Sequence, residues 1–487
     1  MVNIQEIIEI IKKTQPNADI GVIKKAYEFA AIAHAGQKRL SGDDYIQHTL
    51  ATALRLAIME MDMPTIAAGM LHDVPENTNY TLADIKNEFS KEIAKLVEGV
   101  TKVSTLKYRG VERYAENLRK MLLAMTEDIR TIIIKFADRI HNLETLKYNR
   151  PDKIKRIAQE TLEIYAPIAN RLSMGEIKGQ LEDLAFPYVY PTEYEWVKQL
   201  AENRLKIEKK YINKVIKIIQ KELVENEIPS VSIHGRIKHM YSLYKKLLEK
   251  DRDINKVYDL IAIRVITKDV ADCYKVLGLI HRKWVPLKGR IKDYIAQPKP
   301  NGYRSIHTTV FAERGKIVEF QIRDQEMHEI AEFGIAAHWH YDERGGKLSQ
   351  DKTAWLKQLM EIQKNIADNT EYLSKVKLDI FQNRIFVFTP NGDVIDLPEK
   401  ATPIDFAYHI HTNIGDQCIG AIVNENMVPL NSELRSGDVV EILVNKNRKK
   451  PNEDWLQFVK TDQAREKIRQ SLKKSAKSRW SNLLKNN

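Results

Sequence analysis

The chain reads as a multidomain protein: an all-α part, then an α/β part, then a small β module. Three observations predict it. Ile, Leu and Ala recur at helical spacing from Ile4 to about Tyr188, with few strand-like alternations. Further on, VYDLIAIRVIT is a β-branched run and KIVEFQIRD alternates apolar with polar, while ADCYKVLGLIHRKW between them has helical spacing. Strands interleaved with helices imply an α/β region. Finally, RIFVFTPNGDVIDLP is two short strands around Asn391-Gly392, a strong hairpin signal.

In chain order, Pro187 and Pro191 bracket a break in FPYVYPTEY, and a charged helical stretch then runs to about Asn226. The α/β texture follows from about Ile228 to His340. GGKLSQDKTAW is a Gly-led surface joint, followed by a helix to about Lys377. TPIDFAYHIHTNIG reads as one capped helix ending near Gly415, and GAIVNENMVPL and DVVEILV add strands to the β module. The last segment, DQAREKIRQSLKKSAKSRW, reads as a basic helix with no evident partner, which suggests a piece of a longer protein.

Composition narrows the class. The chain has 487 residues, 43% apolar and 29% charged, as in ordinary globular proteins. No apolar run is long enough to span a bilayer. The N-terminus lacks a signal-peptide pattern. Cys273 and Cys418 stand far apart, which argues for a reducing compartment and against a disulfide framework. The cytoplasm is the expected location. Lys and Arg outnumber Asp and Glu, 77 to 66, for a net charge of +11. Such a surface attracts polyanions, from nucleotides to RNA.

His72-Asp73 in LHDVPENT is the most pointed signal for chemistry. An isolated His-Asp pair is more often a core histidine beside a cap. His48 in DYIQHTL and Asp138 in KFADRIHN reverse that preference, and Glu76 follows the pair by one turn. Two imidazoles and two carboxylates suit a borderline ion such as Mn²⁺. An ion held there acidifies water for phosphoester hydrolysis.

A second constellation lies in the α/β region. GRIKHMYSLYKK places Arg236, Lys238, His239, Lys245 and Lys246 around a short helix. Asp259 stands at the start of a strand, where an acid is well placed to hold Mg²⁺ beside a triphosphate. GRIKDYIAQPKPNGYRSIHTTV adds Arg290, Lys292, Lys299, Tyr303, Arg304 and His307 in one loop-rich stretch, and Glu319, Gln321 and Arg323 follow in VEFQIRD. Two acids among many cations suit phosphoryl transfer. Tyr303 on its Gly-flanked loop is placed to stack on a base. Neither a Walker A loop nor a kinase signature is present.

Together HDVPENT, FADRIHNLETL, YAPIANRL, LEDLAF, GRIKH, YDLIAIRV, KPNGYRSIHT, VEFQIR and EIAEFGIAAHW, in this order, resemble one family. It is the long bifunctional alarmone enzymes of the Rel/Spo type, which make and degrade guanosine tetra- and pentaphosphate in the stringent response. The resemblance covers the chain from about Tyr27 onward. It implies an HD-type hydrolase at 1–175 and a helical connector at 176–227. A synthetase with a nucleotidyltransferase-like mixed sheet at 228–345 and a linker helix at 346–381 come next. A β-grasp TGS domain at 382–447 and the start of a truncated helical region at 448–487 complete it.

The resemblance also implies roles. His48, His72, Asp73 and Asp138 would hold Mn²⁺, with Glu76 and Asn77 at the catalytic motif and Arg39, Asn142 and Thr145 toward substrate. In the synthetase, ATP would give its pyrophosphoryl group to the 3′-OH of GDP or GTP, forming ppGpp or pppGpp and AMP. Asp259 and Glu319 would hold Mg²⁺, and Glu319 would deprotonate the hydroxyl. Arg236, Lys238, Lys246, Arg290, Lys292, Lys299, Asn301, His307 and Gln321 would bind substrate, and Tyr303 would stack on guanine. The Arg290-to-Asp293 stretch matches the basic version found in bifunctional members. In the TGS-like module His411 matches a position near the 3′ end of deacylated tRNA on the ribosome.

One departure stands out. The family's hydrolase motif usually reads Glu-Asp, and here it is Glu76-Asn77. The expectation is hydrolysis weaker than in a Glu-Asp relative. Two alternatives stay open: a synthetase whose hydrolase domain only regulates, and a ribosome- or tRNA-binding regulator with silent catalytic domains.

Overall fold

The computed structural model describes residues 2–104, 120–121, 123–125, 127–257, 260–299, 302–337, 384–391, 394–435, 437–445, 447–448, 450–461 and 463–472. The chain divides into two compact units, Met1–Tyr372 and Leu373–Asn487. No helix among the described residues is long and apolar enough to cross a membrane.

The first unit begins all-α, as the periodicity predicts. Its helices are α1 (Ile4–Thr14), α2 (Gly21–Ala33), α3 (Ile46–Ile58), α4 (Met63–Leu71), α5 (Val74–Asn77), α6 (Leu82–Glu88), α7 (Lys91–Ser104), α8 (Arg130–Glu144), α9 (Pro151–Glu160) and α10 (Ala166–Arg171). Helix α8 is buried nearly all round: Ile132, Ile133, Ile134, Phe136, Ala137 and Ile140 are all core. Its polar Lys135 and Asp138 therefore lie inside the protein as well. Asp62 caps α4 by accepting from the Thr65 amide at 2.7 Å and also meets Arg130 at 2.9 Å, which ties the starts of α4 and α8 together. The His-Asp pair is not inside one helix. Pro75 lacks the amide that would continue α4, so His72 closes α4 and Asp73 opens α5.

Two further helices, α11 (Gly175–Val189) and α12 (Pro191–Glu225), follow. The expected break falls at Tyr190 alone; Pro187 lies inside α11. So near a helix end a proline forfeits one backbone bond, and here the ring of Phe186 anchors the turn among Tyr190, Tyr194, Tyr241 and Tyr244.

The α/β region comprises β1 (Ser230–Ile237), α13 (Met240–Glu249), β2 (Ile261–Thr267), α14 (Val270–Lys283), β3 (Pro286–Asp293), β4 (Ile306–Phe311), β5 (Ile317–Asp324) and α15 (Gln325–Phe333). The five strands form a mixed sheet in the order β1-β2-β5-β4-β3, in which only β2 and β5 pair parallel. Alternation gives it two unlike faces. Ile263, Val265, Ile306, Val310, Val318, Phe320 and Ile322 belong to a core shared with Val215, Ile219 and Leu223 of α12 and with Val276 and Ile280 of α14. The other face carries the charges. Residue Gly334, at φ +57°, then turns the chain against the helical part: a Cβ there would lie 2.2 Å from the Leu172 carbonyl oxygen, and the Ile335 amide donates to that oxygen at 3.1 Å.

In the second unit β6 (Arg384–Phe388) and β7 (Val394–Pro398) pair antiparallel, as the hairpin signal predicts. Helices α16 (Pro403–Ile410) and α17 (Thr412–Gln417) follow, then β8 (Cys418–Val423), β9 (Asn426–Val428) and β10 (Val440–Val444), in the order β10-β8-β9. The expected single helix over TPIDFAYHIHTNIG is two. His411 between them is extended at φ −163° and caps α17 by accepting the Asn413 amide on Nδ1 at 3.1 Å. Nor does the basic segment lack a partner. Its Ala464 and Ile468 pack with Ile404, Tyr408 and Cys418, and the buried Asp405 carboxylate accepts the Lys460 and Thr461 amides. The linker helix expected at 346–381 lies outside the described residues.

Candidate active sites

Three helices bring the first site together: His48 from α3, His72 and Asp73 from the α4–α5 junction, and Asp138 from α8. His48, His72 and Asp138 are 1%, 1% and 3% exposed, and their ligand atoms lie within 4.8 Å of one another. His48 Nε2 is 3.2 Å from Asp138 Oδ1 and 3.3 Å from Asp73 Oδ2. The other Asp73 oxygen, Oδ1, is 3.4 Å from His72 Nε2. Thus the sequence-predicted ligands do converge.

The ligands are braced from behind. His72 Nδ1 donates to the Gly69 carbonyl at 2.8 Å, which presents Nε2 to the cluster, where that buried atom has no hydrogen-bond partner. His48 Nδ1 meets His141 Nδ1 at 2.8 Å. Asp138 accepts from Lys135 at 2.7 Å and from Asn142 at 2.5 Å, and Asn142 in turn accepts from Arg39 at 2.6 Å. Asp73 accepts from the Tyr45 hydroxyl at 2.8 Å. An orphaned imidazole nitrogen among carboxylates, with second partners on the remaining atoms, fits a divalent cation.

Electrostatics agree with the geometry. Burial opposes charge on His72, but Asp73 and Asp138 overcome it and raise its pKa to about 9. Burial likewise opposes ionisation of Asp138, and Lys135 with the two histidines pulls it well below the carboxylate range. Burial and the neighbouring His48 hold His141 neutral, at about 3. Glu76 stands at the exposed mouth, its pKa raised by desolvation and by Asp73. Thr145 closes α8 and turns its hydroxyl back onto the His141 carbonyl at 3.1 Å. Asn77 is exposed, and its side-chain amide donates to the Tyr45 hydroxyl at 3.1 Å.

The second site is the charged face of the sheet. Strand register sets His234, Arg264, Gln321, His307 and Lys292 in one row across all five strands. Arg236 and Glu319 lie two residues along on the same face. Arg290, Lys292 and His307, expected in a loop, are on β3 and β4, while Arg236 lies within the last residues of β1 rather than flanking a helix. Lys238 follows that strand, and Lys246 lies on α13. Gln321 donates to Glu319 Oε1 at 3.1 Å, and His307 Nδ1 is 3.7 Å from the same oxygen. Tyr303 shares a 2.8 Å hydrogen bond with His307 Nε2 and packs edge-on to Tyr294, while Lys299 lies over both tyrosine rings at 4.7 and 5.1 Å. Burial and Lys299 keep His307 neutral, at about 3. Desolvation and Lys292 lower Lys299. Asp259 and Asn301 lie outside the described residues.

Several participants went unnoticed in the sequence. Tyr45 and His141 were each three residues from a named ligand, hence on its helical face. Arg264, also unmarked in the sequence, sits buried on the charged face beside Arg323, which the VEFQIRD strand had already offered, and the two share the Glu332 carboxylate at 3.0 and 3.1 Å. Arg264 Nε and Nη2 and Arg323 Nε have no hydrogen-bond partner, so this face holds buried donors in excess of acceptors. A cleft of about 730 Å³ between the sites is lined by His141 and Glu144 on one side and Glu332 and Phe333 on the other.

Comparisons with known proteins fit this arrangement. Residues 26–175 match the HD domain, 235–346 the region found in RelA / SpoT proteins, and 385–444 the TGS domain. The guanosine-3′,5′-bis(diphosphate) 3′-pyrophosphohydrolase of Aquifex aeolicus is 48% identical over 94% of this chain and 65% of its own length. The GTP pyrophosphokinase of Myxococcus xanthus is 45% identical over 96% of this chain and 62% of its own. The bifunctional (p)ppGpp synthase/hydrolase SpoT of Escherichia coli K12 is 45% identical over 96% and 66%. The chain therefore spans a little under two thirds of the length of these relatives.

Proposed function

The chain belongs to the Rel/Spo family of alarmone enzymes, and from that premise we propose that it both makes and degrades (p)ppGpp. One observation supports the pair of activities: a single unit carries the buried His48–His72–Asp138 cluster and the open cationic face around Glu319. We assign hydrolysis to 1–175, synthesis to 228–345 and RNA contact to 382–447, with 176–227 as connector. The cytoplasm is the proposed location.

In synthesis the 3′-oxygen of GDP or GTP bonds to the β-phosphorus of ATP, the bond from that phosphorus to the α-phosphate oxygen breaks, and AMP leaves. Glu319 accepts the hydroxyl proton, and the Gln321 amide, donating to Glu319 Oε1 at 3.1 Å, orients that carboxylate. Arg236, Lys238, Lys246, Arg290, Lys292 and Lys299 neutralise phosphate charge, and Tyr303 supports the guanine. Mg²⁺ is the proposed ion, held by Asp259 and Glu319.

In hydrolysis the 3′-pyrophosphate is released to water. Mn²⁺ bound by His48, His72, Asp73 and Asp138 would supply Lewis acidity and a more acidic water. Glu76, with its raised pKa, takes the water proton. Arg39, Asn142 and Thr145 line the approach.

Incubation with ATP, GDP and Mg²⁺ should yield ppGpp and AMP, and Asp259→Gly should abolish both. Incubation of ppGpp with Mn²⁺ should yield GDP and pyrophosphate. Failure of the first reaction removes the synthetase reading; failure of the second alone leaves a synthetase with a regulatory hydrolase domain. For 382–447, binding of deacylated tRNA with ribosomes should weaken with salt and with His411→Ala; salt-independent binding would remove that role.

A further inference from the structure

Asn77 stands where the family usually carries an acid, yet its side chain does not reach the ligand cluster. The side chain's one hydrogen bond among the described residues goes to the Tyr45 hydroxyl, at 3.1 Å. That hydroxyl is 2.8 Å from Asp73 Oδ2. A phenol has a single hydrogen, and an ionised carboxylate only accepts. The hydrogen therefore goes to Asp73, and Asn77 must present its NH₂ to the phenol oxygen. This chain of two bonds runs in one direction, from Asn77 through Tyr45 to Asp73.

The surroundings hold the first two members of the chain. Gln37 donates to the Asn77 carbonyl at 2.8 Å, receives the Tyr45 amide on its own carbonyl at 3.0 Å, and meets His34 Nδ1 at 2.9 Å. The His34 ring stacks on Tyr45, centroids 4.6 Å apart and planes 19° from parallel. The Arg39 guanidinium lies 5.5 Å from the same ring. With its ring clamped and its oxygen receiving a donor, Tyr45 has one useful direction left for its hydrogen, toward Asp73.

We propose that Asn77 and Tyr45 are positioning residues that fix the carboxylate of Asp73 for the cation, and that residue 77 acts on the metal centre through Tyr45. An acid at 77 would be an acceptor where a donor is needed, and two carboxylates would then compete for one phenolic hydrogen. The proposal rests on the metal-centre reading of the preceding subsection.

Titration of the metal-free full chain with Mn²⁺ by calorimetry tests it without using turnover. Wild type must bind first; no binding there overturns the metal-centre reading itself. Tyr45→Phe should weaken binding roughly 10- to 100-fold, as loss of a partner behind a ligand does. Asn77→Ala should weaken it by a smaller factor, and in the Tyr45→Phe background should change it no further. Thermal melts of the metal-free variants control for folding, and Asn77→Ser provides a second, milder change at the same position. Additive losses in the double variant would overturn the proposal. So would an Asn77→Ala variant that lowers hydrolytic kcat at saturating Mn²⁺ with unchanged Mn²⁺ affinity, because residue 77 would then act on the reacting water.

Discussion

The helical cluster and the sheet face differ in what their charged groups already have. Around His48, His72, Asp73 and Asp138, each ligand side chain is held by a neighbour of its own chain: His141, the Gly69 carbonyl, Tyr45, or Lys135 and Asn142. On the sheet, Arg264 and Arg323 must share Glu332 and still keep unpaired donors, while Arg290 and Lys292 are exposed. A metal ion tolerates little error in ligand position, so its ligands need rigid support. Phosphates on a flexible nucleotide are drawn by a field of charges, and a face with surplus cations supplies that field. The contrast is between preorganised geometry and stored charge.

Four experiments would break or sharpen this contrast. The largest effect belongs to His72→Ala, which removes the orphaned nitrogen. Metal analysis should find the helical site empty and hydrolysis should be undetectable, with synthesis preserved; full metal content would show that the cluster is not the centre. Next is Glu319→Gln. Synthesis should fall roughly 100- to 10,000-fold, the range for a lost general base, and hydrolysis should stay at its wild-type rate. Equal loss of both reactions would mean that the two sites are not separable.

A smaller effect is expected of the field itself. Lys299→Ala should raise the nucleotide KM of synthesis roughly 10-fold, the scale of one charge-assisted hydrogen bond. Added salt should raise the wild-type synthetic KM as well, because exposed charges are screened. An unchanged KM in both cases would argue against a charge-driven site.

The smallest effect concerns the joint between the regions. His239, which opens α13, contacts Asp183 at 2.9 Å and Glu176 at 3.5 Å on α11. Asp183 also accepts the Tyr241 amide at 2.9 Å, and a Cβ on Gly179 would collide with the His239 ring at 2.2 Å. Burial lowers the imidazole's pKa, but Asp183 and Glu176 raise it on balance to about 9, and His239 in return lowers Glu176 to about 2. The folded pKa of His239 lies above its unfolded value, so its contribution is complete below about pH 6.5 and is lost as pH rises through about 9. Melting curves of wild type and His239→Gln should therefore differ most near pH 6 and converge above pH 9. A pH-independent difference would assign the effect to packing. Because α11 also carries Ile177 into the cleft beside His141, the same variant should weaken any influence of an ATP analogue on substrate affinity at the helical site, measured by calorimetry.

Much of this was legible in the chain. Helical spacing gave the all-α region, alternation in VEFQIRD gave a strand with one charged and one core face, and the Asn391-Gly392 signal gave the hairpin. The four candidate ligands were legible because His-Asp, an upstream His and a downstream Asp each sat in a helical context. Less legible was anything that depends on a second element. Periodicity alone did not stop a helix at His411, whose extended backbone is held by a local cap, and did not reveal that Ile468 has a place in the core under Tyr408.

The sequence by itself determined the classes of element, the ligand chemistry and the two charge patterns, because these follow from residue type and spacing along one element. Only the tertiary structure decided which partners brace each candidate ligand and which His72 nitrogen is left without one. That depends on partners far away in the chain: His141 is 93 residues from His48, and Tyr45 is 28 from Asp73. It also decided that residue 77 faces Tyr45, since a side chain's direction at a helix junction is set by what packs around it rather than by its own position in a motif.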